Sequence, residues 1–147
     1  MAAKILPLPS QAAEAIADII PIARKRTRTK DRDAPTAVLS AVERVLGKAR
    51  TKNRPLGQDA CAELGALVGQ QYVSHLGWSW VEVAEDDQDS GLYAVIHPNR
   101  DLVIYPLHWM HEIDSDPDRE IAIALNFNMV VAGNVPAGTP GDPISFH

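Results

Sequence analysis

Residues 76–83, LGWSWVEV, decide the fold because the hydrophobic period changes within them from that of a helix to that of a strand. Before Gly77 the apolar residues recur every three to four positions, and after it they alternate. Glycine is the residue type that most often follows the end of a helix. The sequence therefore predicts a long helix that ends at Gly77 and a strand with Trp78, Trp80 and Glu82 on one face.

Two further strands are predicted after this one. They are residues 92–97 (LYAVIH) and 102–105 (LVIY), separated by the turn-forming sequence of residues 98–101, PNRD. The connections are too short for the crossovers that parallel strands need, so we expect a three-stranded antiparallel meander. Both later strands are continuously apolar, which indicates that both of their faces are at least partly covered.

Four helices are predicted, three before these strands in the sequence and one after them. Their expected ranges are 11–20, 36–46, 56–75 and 117–132. Asp116 is expected to cap the last of them, with Pro117 at its first position. Residues 106–113, PLHWMHEI, stay open between a strand continuation and a short helical turn. The predicted fold class is α+β, with the three-stranded meander packed against about four helices. We expect a single domain over 1–147, with a helical and basic segment 1–55, an α+β core 56–135 and an irregular tail 136–147.

A stripe of small residues runs along the third predicted helix at intervals of four positions, at Gly57, Cys61, Gly65 and Gly69. A glycine inside a helix costs about 0.5–1 kcal/mol relative to alanine. We therefore expect another backbone to approach this face closely. The same position predicts that Cys61 is buried as a small apolar residue and is not a nucleophile.

The charges are divided unequally along the chain. Residues 1–54 contain 12 Lys and Arg against 5 Asp and Glu, a balance of +7, whereas residues 55–147 contain 2 against 14, a balance of −12. Like charges summed over one surface attract an oppositely charged partner across a Debye length of about 8–10 Å. The asymmetry indicates an interaction surface.

The acidic residues of the later part favour a binding role through one negative face that suits a basic protein partner. Two arginines in that part offer little to nucleic acid, which makes nucleic acid an unlikely partner there. The candidate partner-binding residues are Glu85, Asp86, Asp87, Asp89, Asp114, Asp116 and Asp118, with Trp109 as an aromatic anchor.

Two basic stretches, residues 24–33 expected to form a loop and residues 48–55 expected to form a linker, have two interpretations. One is an arm that binds phosphates, which would make the protein a nucleic-acid accessory protein acting through residues 24–54. The other is a solvated linker, or an internal partner for the acidic half. Because no aromatic residue interleaves the basic ones, there is no platform for stacking single-stranded bases, and the linker is favoured.

A metal site is the alternative that would make the chain an enzyme or a metal-binding protein. His108, His111 and Glu112 have ligand chemistry, and histidines at i and i+3 can share a helix face. Their order, H-x-x-H-E, differs from the H-E-x-x-H of zinc proteases. No nucleophile elbow and no phosphate-binding loop occurs in the sequence. We therefore expect no cofactor, and a non-catalytic role is favoured.

The composition also bears on location. Pro7, Pro9, Glu14 and Asp18 interrupt the early apolar stretch, so we expect no signal peptide there. No run of about 18 apolar residues is present, which predicts no membrane span. The lone cysteine fits a reducing compartment. The predicted location is the cytoplasm.

Three pieces of the sequence resemble a loose class of small bacterial domains, some of which are similar to immunity proteins paired with secreted toxins. The pieces are Leu76-Gly77-Trp78, the strand WSWVEV at 78–83, and YPLHW at 105–109. The likeness covers about residues 56–132 and does not extend to the basic first third. It implies a cytoplasmic inhibitor that binds its cognate toxin, and it names no functional residue.

Overall fold

The computed structural model describes residues 4–84 and 91–147. Within them the chain forms five helices and five strands, which confirms an α+β fold. In order these are β1 (Lys4–Pro7), α1 (Ser10–Thr27), α2 (Pro35–Thr51), α3 (Gln58–Leu76), β2 (Ser79–Ala84), β3 (Leu92–Ile96), β4 (Leu102–Ile104), α4 (Pro106–Ser115), α5 (Ile123–Ala132) and β5 (Ile144–Ser145).

The sheet has the strand order β1-β2-β3-β4-β5. The predicted meander is its centre, with Val81 opposite Ala94 and Val95 opposite Ile104 in antiparallel pairs. Two strands were not predicted. β1 is antiparallel to β2, and β5, from the tail expected to be irregular, is parallel to β4. Both are short edge strands, and Pro7 is tolerated at the end of one because an edge strand leaves one row of N–H groups unpaired.

The first two helices are longer than predicted. α1 continues through Pro21 to Thr27, and α2 continues through Gly47 to Thr51. Ala23 and Ala49 are buried within these extensions, which packs them against the rest of the protein. The interpretation of residues 24–33 as a loop and of 48–55 as a linker is therefore wrong for residues 24–27 and 48–51. Tertiary packing overrides the local signals of Pro21 and Gly47.

The last two helices differ from the prediction at their starts. Residues 106–113, left open above, lie in α4, and the helix expected from 117 begins only at Ile123. Asp116 was expected to cap that helix, but its Oδ1 accepts a 3.0 Å hydrogen bond from Asp118 N in a turn. The start of α5 is stabilised from a distance, because Glu43 Oε2 accepts from Ile123 N at 2.9 Å and from Ala124 N at 3.2 Å.

A large buried cluster lies between the helices and one face of the sheet. It joins residues of all five helices to Trp78, Val95, Leu102 and Ile104. A smaller cluster of Val81, Val83, Ala94, Ile96 and Val103 lies on the opposite face. Both faces of β3 and β4 are thus buried, as their continuous apolar sequences predict. None of the helices in the described ranges combines the length and apolar character needed to cross a bilayer.

The close approach expected along α3 is confirmed at two glycines. A Cβ on Gly65 would lie 2.5 Å from Leu107 Cα and 2.8 Å from Pro106 O, and a Cβ on Gly69 would collide with the ring of Trp80. Only residues without a side chain let α4 and β2 come this near to α3. The junction of these elements fixes where Trp80 lies.

Candidate anion-binding site

The two basic stretches of the sequence meet in space. The last turn of α1 and the last turns of α2, with the segment that leads to α3, surround an open cleft of about 620 Å³. Val45 and Leu56 contribute apolar surface to it. Six of its lining residues are basic: Arg26, Arg28, Arg44, Lys48, Lys52 and Arg54.

The spacing of residues along α2 explains why three of the six basic side chains lie on one side of the cleft. Val38, Leu39, Val42 and Leu46 are buried on one side of α2. Arg44, Lys48 and Lys52 follow one another at intervals of four residues on another side and are exposed. At 1.5 Å rise per residue, successive charges on this row are about 6 Å apart along the helix axis. A helix that continues past Gly47 is required for this row to form.

The end of α1 supplies the opposite side of the cleft. Arg28 terminates α1 in the left-handed conformation, with φ of 59°, and its backbone N–H bonds to Arg24 O. The preceding Thr27 is buried, and its hydroxyl donates a 2.9 Å hydrogen bond to Ala23 O. The terminal turn is therefore anchored from inside while the arginines on either side of Thr27 face the cleft.

The cations of the cleft have almost no internal counter-charge. Arg26 pairs with Glu63 of α3, with 3.1 Å between Nη2 and Oε1. The other five form no ion pair with any residue of 4–84 or 91–147. Arg50, from the same basic stretch, behaves differently, since its guanidinium donates to Arg119 O at 2.7 Å and Ile113 O at 2.9 Å. It holds α2 to α4 and is not part of the cleft.

Five cations without an ion pair to any described residue surround one concavity, and this arrangement has the charge to hold a multiply charged anion. Arginine offers a planar fork to phosphate or carboxylate, and lysine offers a mobile point charge. The described lining contains no aromatic side chain, so it offers no surface on which bases would stack. The chemistry of the cleft is therefore directed at anionic groups and not at flat rings.

The acidic residues predicted to bind a partner are not gathered into one site among the residues described. Glu85, Asp86, Asp87 and Asp89 lie outside those residues. The Asp114 carboxylate is engaged internally, accepting from Leu56 N at 2.8 Å and Gly57 N at 3.0 Å. Asp116 and Asp118 are exposed beside each other in one turn. The acidic-face inhibitor stays a prediction.

Trp109, named above as a candidate aromatic anchor, is a buried core residue, so its ring offers no exposed surface to a partner. Its side chain is 3% exposed and belongs to the large buried cluster. Its ring stacks on His147, with 5.2 Å between the ring centroids and 24° between the planes. The amphipathic phase of α4 turns Trp109 inward together with Met110 and Ile113.

Glu112, one of the candidate metal ligands on α4, is already in contact with two other side chains. Glu112 Oε1 lies 3.2 Å from His108 Nε2, and Glu112 Oε2 lies 2.6 Å from Arg119 Nη1. His111 is exposed on the same helix. Throughout the described ranges, no group of three or more His, Cys, Asp or Glu side chains is placed to hold a metal ion. The metal alternative stays a prediction that elemental analysis of the purified protein would test.

Comparison with known proteins gives one structural neighbour. A crystal structure of a protein from Bacteroides thetaiotaomicron VPI-5482 is similar in fold, with a TM-score of 0.64 at 14% sequence identity. The similarity covers 90% of this chain but 48% of that one, so this chain spans about half the length of its neighbour. At this identity the likeness is evidence for the fold alone. No protein-family model and no curated protein matches the sequence.

The basic cleft was missed because the two basic stretches were interpreted as separate and unstructured. The signal that would have found it is the spacing of Arg44, Lys48 and Lys52, which continues the helical period beyond the expected end of the helix. The convergence of Arg26 and Arg28 on this row depends on how α1 packs beside α2. That packing is a tertiary property, and no local pattern encodes it.

Proposed function

We propose that this chain is a binding protein that holds the phosphate backbone of a nucleic acid in its basic cleft. The observation that carries the proposal is the set of five exposed cations, Arg28, Arg44, Lys48, Lys52 and Arg54, that surround one concavity without an ion pair to any described residue. Each is free to neutralise a phosphate. The cytoplasmic location predicted from the sequence is consistent with such a partner.

The driving force would be the release of counterions from the nucleic acid when lysine and arginine replace them. The net charge of −5 does not oppose this, because charges more than about 8–10 Å away are largely screened at physiological salt. Backbone contacts without base contacts carry no sequence information. We therefore expect binding to duplexes of any sequence, with modest affinity and strong dependence on salt.

The test is a titration of a fluorescently labelled duplex of arbitrary sequence at several salt concentrations. If all five cations neutralise a phosphate, the slope of log K against log salt is about −4.5 for duplex DNA. The double variant Lys48→Gln, Lys52→Gln should reduce the magnitude of that slope by about 1.8. Lys25→Gln, Arg32→Gln is the matched control, because it also removes two charges and both side chains are exposed but do not line the cleft. It should leave the slope nearly unchanged.

Two results would contradict the proposal. One is no binding of the duplex at low salt. The other is an equal loss of slope in the cleft variant and the matched control, which would mean that attraction is diffuse. Binding to an acidic polypeptide with no binding to the duplex would assign the cleft to an acidic protein partner and also rule out nucleic acid.

A further inference from the structure

A second concavity lies on another side of α1, where this helix packs beside α3. It is a groove of about 710 Å³ that extends from Pro7 and Leu8, along α1, to Asp31, and shares no lining residue with the basic cleft. Its walls are mainly apolar and include Ile16, Ala17, Ile20 and the ring of Trp80. A groove of this volume and character is typical of sites for small organic ligands, which occupy about 300–1,000 Å³.

Two residues of the lining carry buried N–H groups that form no hydrogen bond. Trp80 Nε1 and Arg24 Nε are both buried atoms without a hydrogen-bond partner among the residues described. A buried donor left unsatisfied is destabilising, because it has lost its hydrogen bond to water without gaining another. The Trp80 N–H has no partner of any kind among the described residues, whereas Arg24 Nε is compensated by an ion pair alone. Because both residues line one apolar groove, an occupant with acceptor oxygens would satisfy them together.

The charge of Arg24 is also incompletely compensated. The side chain is 15% exposed, and its Nη1 donates to Lys30 O at 2.8 Å. Its one carboxylate partner is Asp31, whose Oδ1 lies 2.9 Å from Nε without forming a hydrogen bond, and whose side chain is 96% exposed. A largely buried guanidinium is thus held by a carboxylate that stands in solvent, and such a pair is easily exchanged for a better one.

Trp80 is fixed in place by its neighbours. The ring lies against Gly69 of α3, so close that a Cβ there would overlap it, and the backbone of residue 80 is paired with Val95 in the sheet. The indole therefore cannot turn away to find another acceptor, and an acceptor has to come to it.

We propose that this groove binds a small amphipathic carboxylic acid. Its hydrocarbon part lies on Ile16, Ile20 and the Trp80 ring, and its carboxylate accepts from Arg24 and displaces Asp31 into solvent. The indole N–H donates to an oxygen of the same ligand. The site is independent of the nucleic-acid proposal, since neither set of residues contributes to the other.

The experiment is calorimetric titration of the whole chain with decanoate, and with decanol as the neutral counterpart of the same length. Decanoate should bind at least tenfold more tightly than decanol, because only the acid pairs with Arg24. Equal binding of the two would overturn the carboxylate assignment, and failure of decanoate to bind would overturn the site.

Three variants make the assignment specific. Asp31→Asn removes the competing carboxylate and should tighten decanoate binding by about 1.5- to 5-fold, the range expected from loss of an exposed ion pair. Asp18→Asn is the control with the same change of charge on an exposed residue of α1 that does not line the groove. Trp80→Phe retains the ring but removes the N–H, and should weaken binding by about 2- to 10-fold.

Ala17→Leu fills the groove from an exposed position on α1. It should abolish decanoate binding while the far-ultraviolet circular dichroism stays that of the parent. Binding that survives this substitution unchanged, or that weakens when Asp31 is neutralised, would place the ligand elsewhere and overturn the proposal.

Discussion

The Tyr72 hydroxyl donates a 2.6 Å hydrogen bond to Asn126 Oδ1 inside the core, and this contact joins α3 to α5. Asn126 Nδ2 in turn donates to Phe146 O at 2.9 Å, which ties the end of the chain to the same point. Burial raises the pKa of Tyr72 far above its ordinary value, so the hydroxyl keeps its proton and remains a donor. The Asn126 side chain thereby provides a hydrogen-bond partner for two groups that are distant in sequence, the Tyr72 hydroxyl and the Phe146 carbonyl.

Asn126→Ala should lower the free energy of unfolding by about 2–3 kcal/mol, because the buried Tyr72 hydroxyl and the Phe146 carbonyl both lose their partner. Urea unfolding followed by circular dichroism measures the change. The control is Asn128→Ala on the exposed side of the same helix, which should stay within about 0.5 kcal/mol of the parent. Equal losses in both variants would mean that the effect does not come from this contact, since the higher helix propensity of alanine acts in the opposite direction in both.

Local sequence was sufficient to predict the elements whose ends are encoded by a single residue. Gly77 and Gly133 both adopt the left-handed conformation that ends a helix, with φ of 73° and 74°. The alternation after Gly77 predicts β2, and the stripe of Gly65 and Gly69 predicts close packing on α3. In each case a single residue type has a direct structural consequence: glycine permits the left-handed conformation at a helix end and the close approach of a neighbouring element within a helix.

The elements that were missed depend on partners far away in sequence. The start of α5 is set by Glu43, about 80 residues earlier, and so the local cap at Asp116 gave the wrong boundary. β1 and β5 exist because a sheet edge is available to them. The basic cleft depends on two helices that converge, and therefore a linear charge count located its residues without locating the site.

Substitution of Asp114 tests whether this residue, predicted to bind a partner, instead stabilises the fold. Its carboxylate accepts from the backbone N–H groups of Leu56 and Gly57, which lead into α3. Asp114→Ala should therefore lower the free energy of unfolding by about 1 kcal/mol, as loss of a helix cap does. Asp118→Ala is the control, because that side chain is exposed in the neighbouring turn. Unchanged stability for Asp114→Ala in urea unfolding would contradict the structural role.

Cys61 should be chemically inert in the folded protein. Burial raises the pKa of its thiol from 9.0 to about 12, with the nearby Asp114 charge adding to the effect. The thiolate is the reactive form, so at a given pH its population falls about a thousandfold. Labelling with a thiol-reactive disulfide at pH 8 should be slow in buffer and rapid and stoichiometric in urea. Labelling at the same rate in both conditions would show that Cys61 is accessible and ionised in the native state.

His147 should make the protein less stable as the pH falls below neutrality. Burial lowers its pKa from 6.5 to about 4. Between these two pKa values the unfolded chain binds a proton that the folded chain does not. The free energy of unfolding therefore rises with pH across this window, and it decreases when the protein is acidified. His147→Phe retains an aromatic partner for Trp109 and should flatten the slope between pH 6.5 and 4. His75→Phe, at an exposed position, should leave the slope intact; equal slopes in all three proteins would refute the assignment.

Gly47 and Gly65 should respond to alanine with opposite signs although both lie inside helices. A Cβ on Gly47 meets nothing within 4 Å, whereas one on Gly65 would lie 2.5 Å from the Leu107 backbone. Gly47→Ala should therefore stabilise the protein by about 0.5–1 kcal/mol through helix propensity alone. Gly65→Ala should destabilise it by about 3 kcal/mol, since a backbone cannot move aside as a side chain can. Thermal unfolding of the two variants measures both signs. Stabilisation by Gly65→Ala would mean that α3 and α4 are not packed as closely as described, and destabilisation by Gly47→Ala would mean that the surroundings of Gly47 are not open.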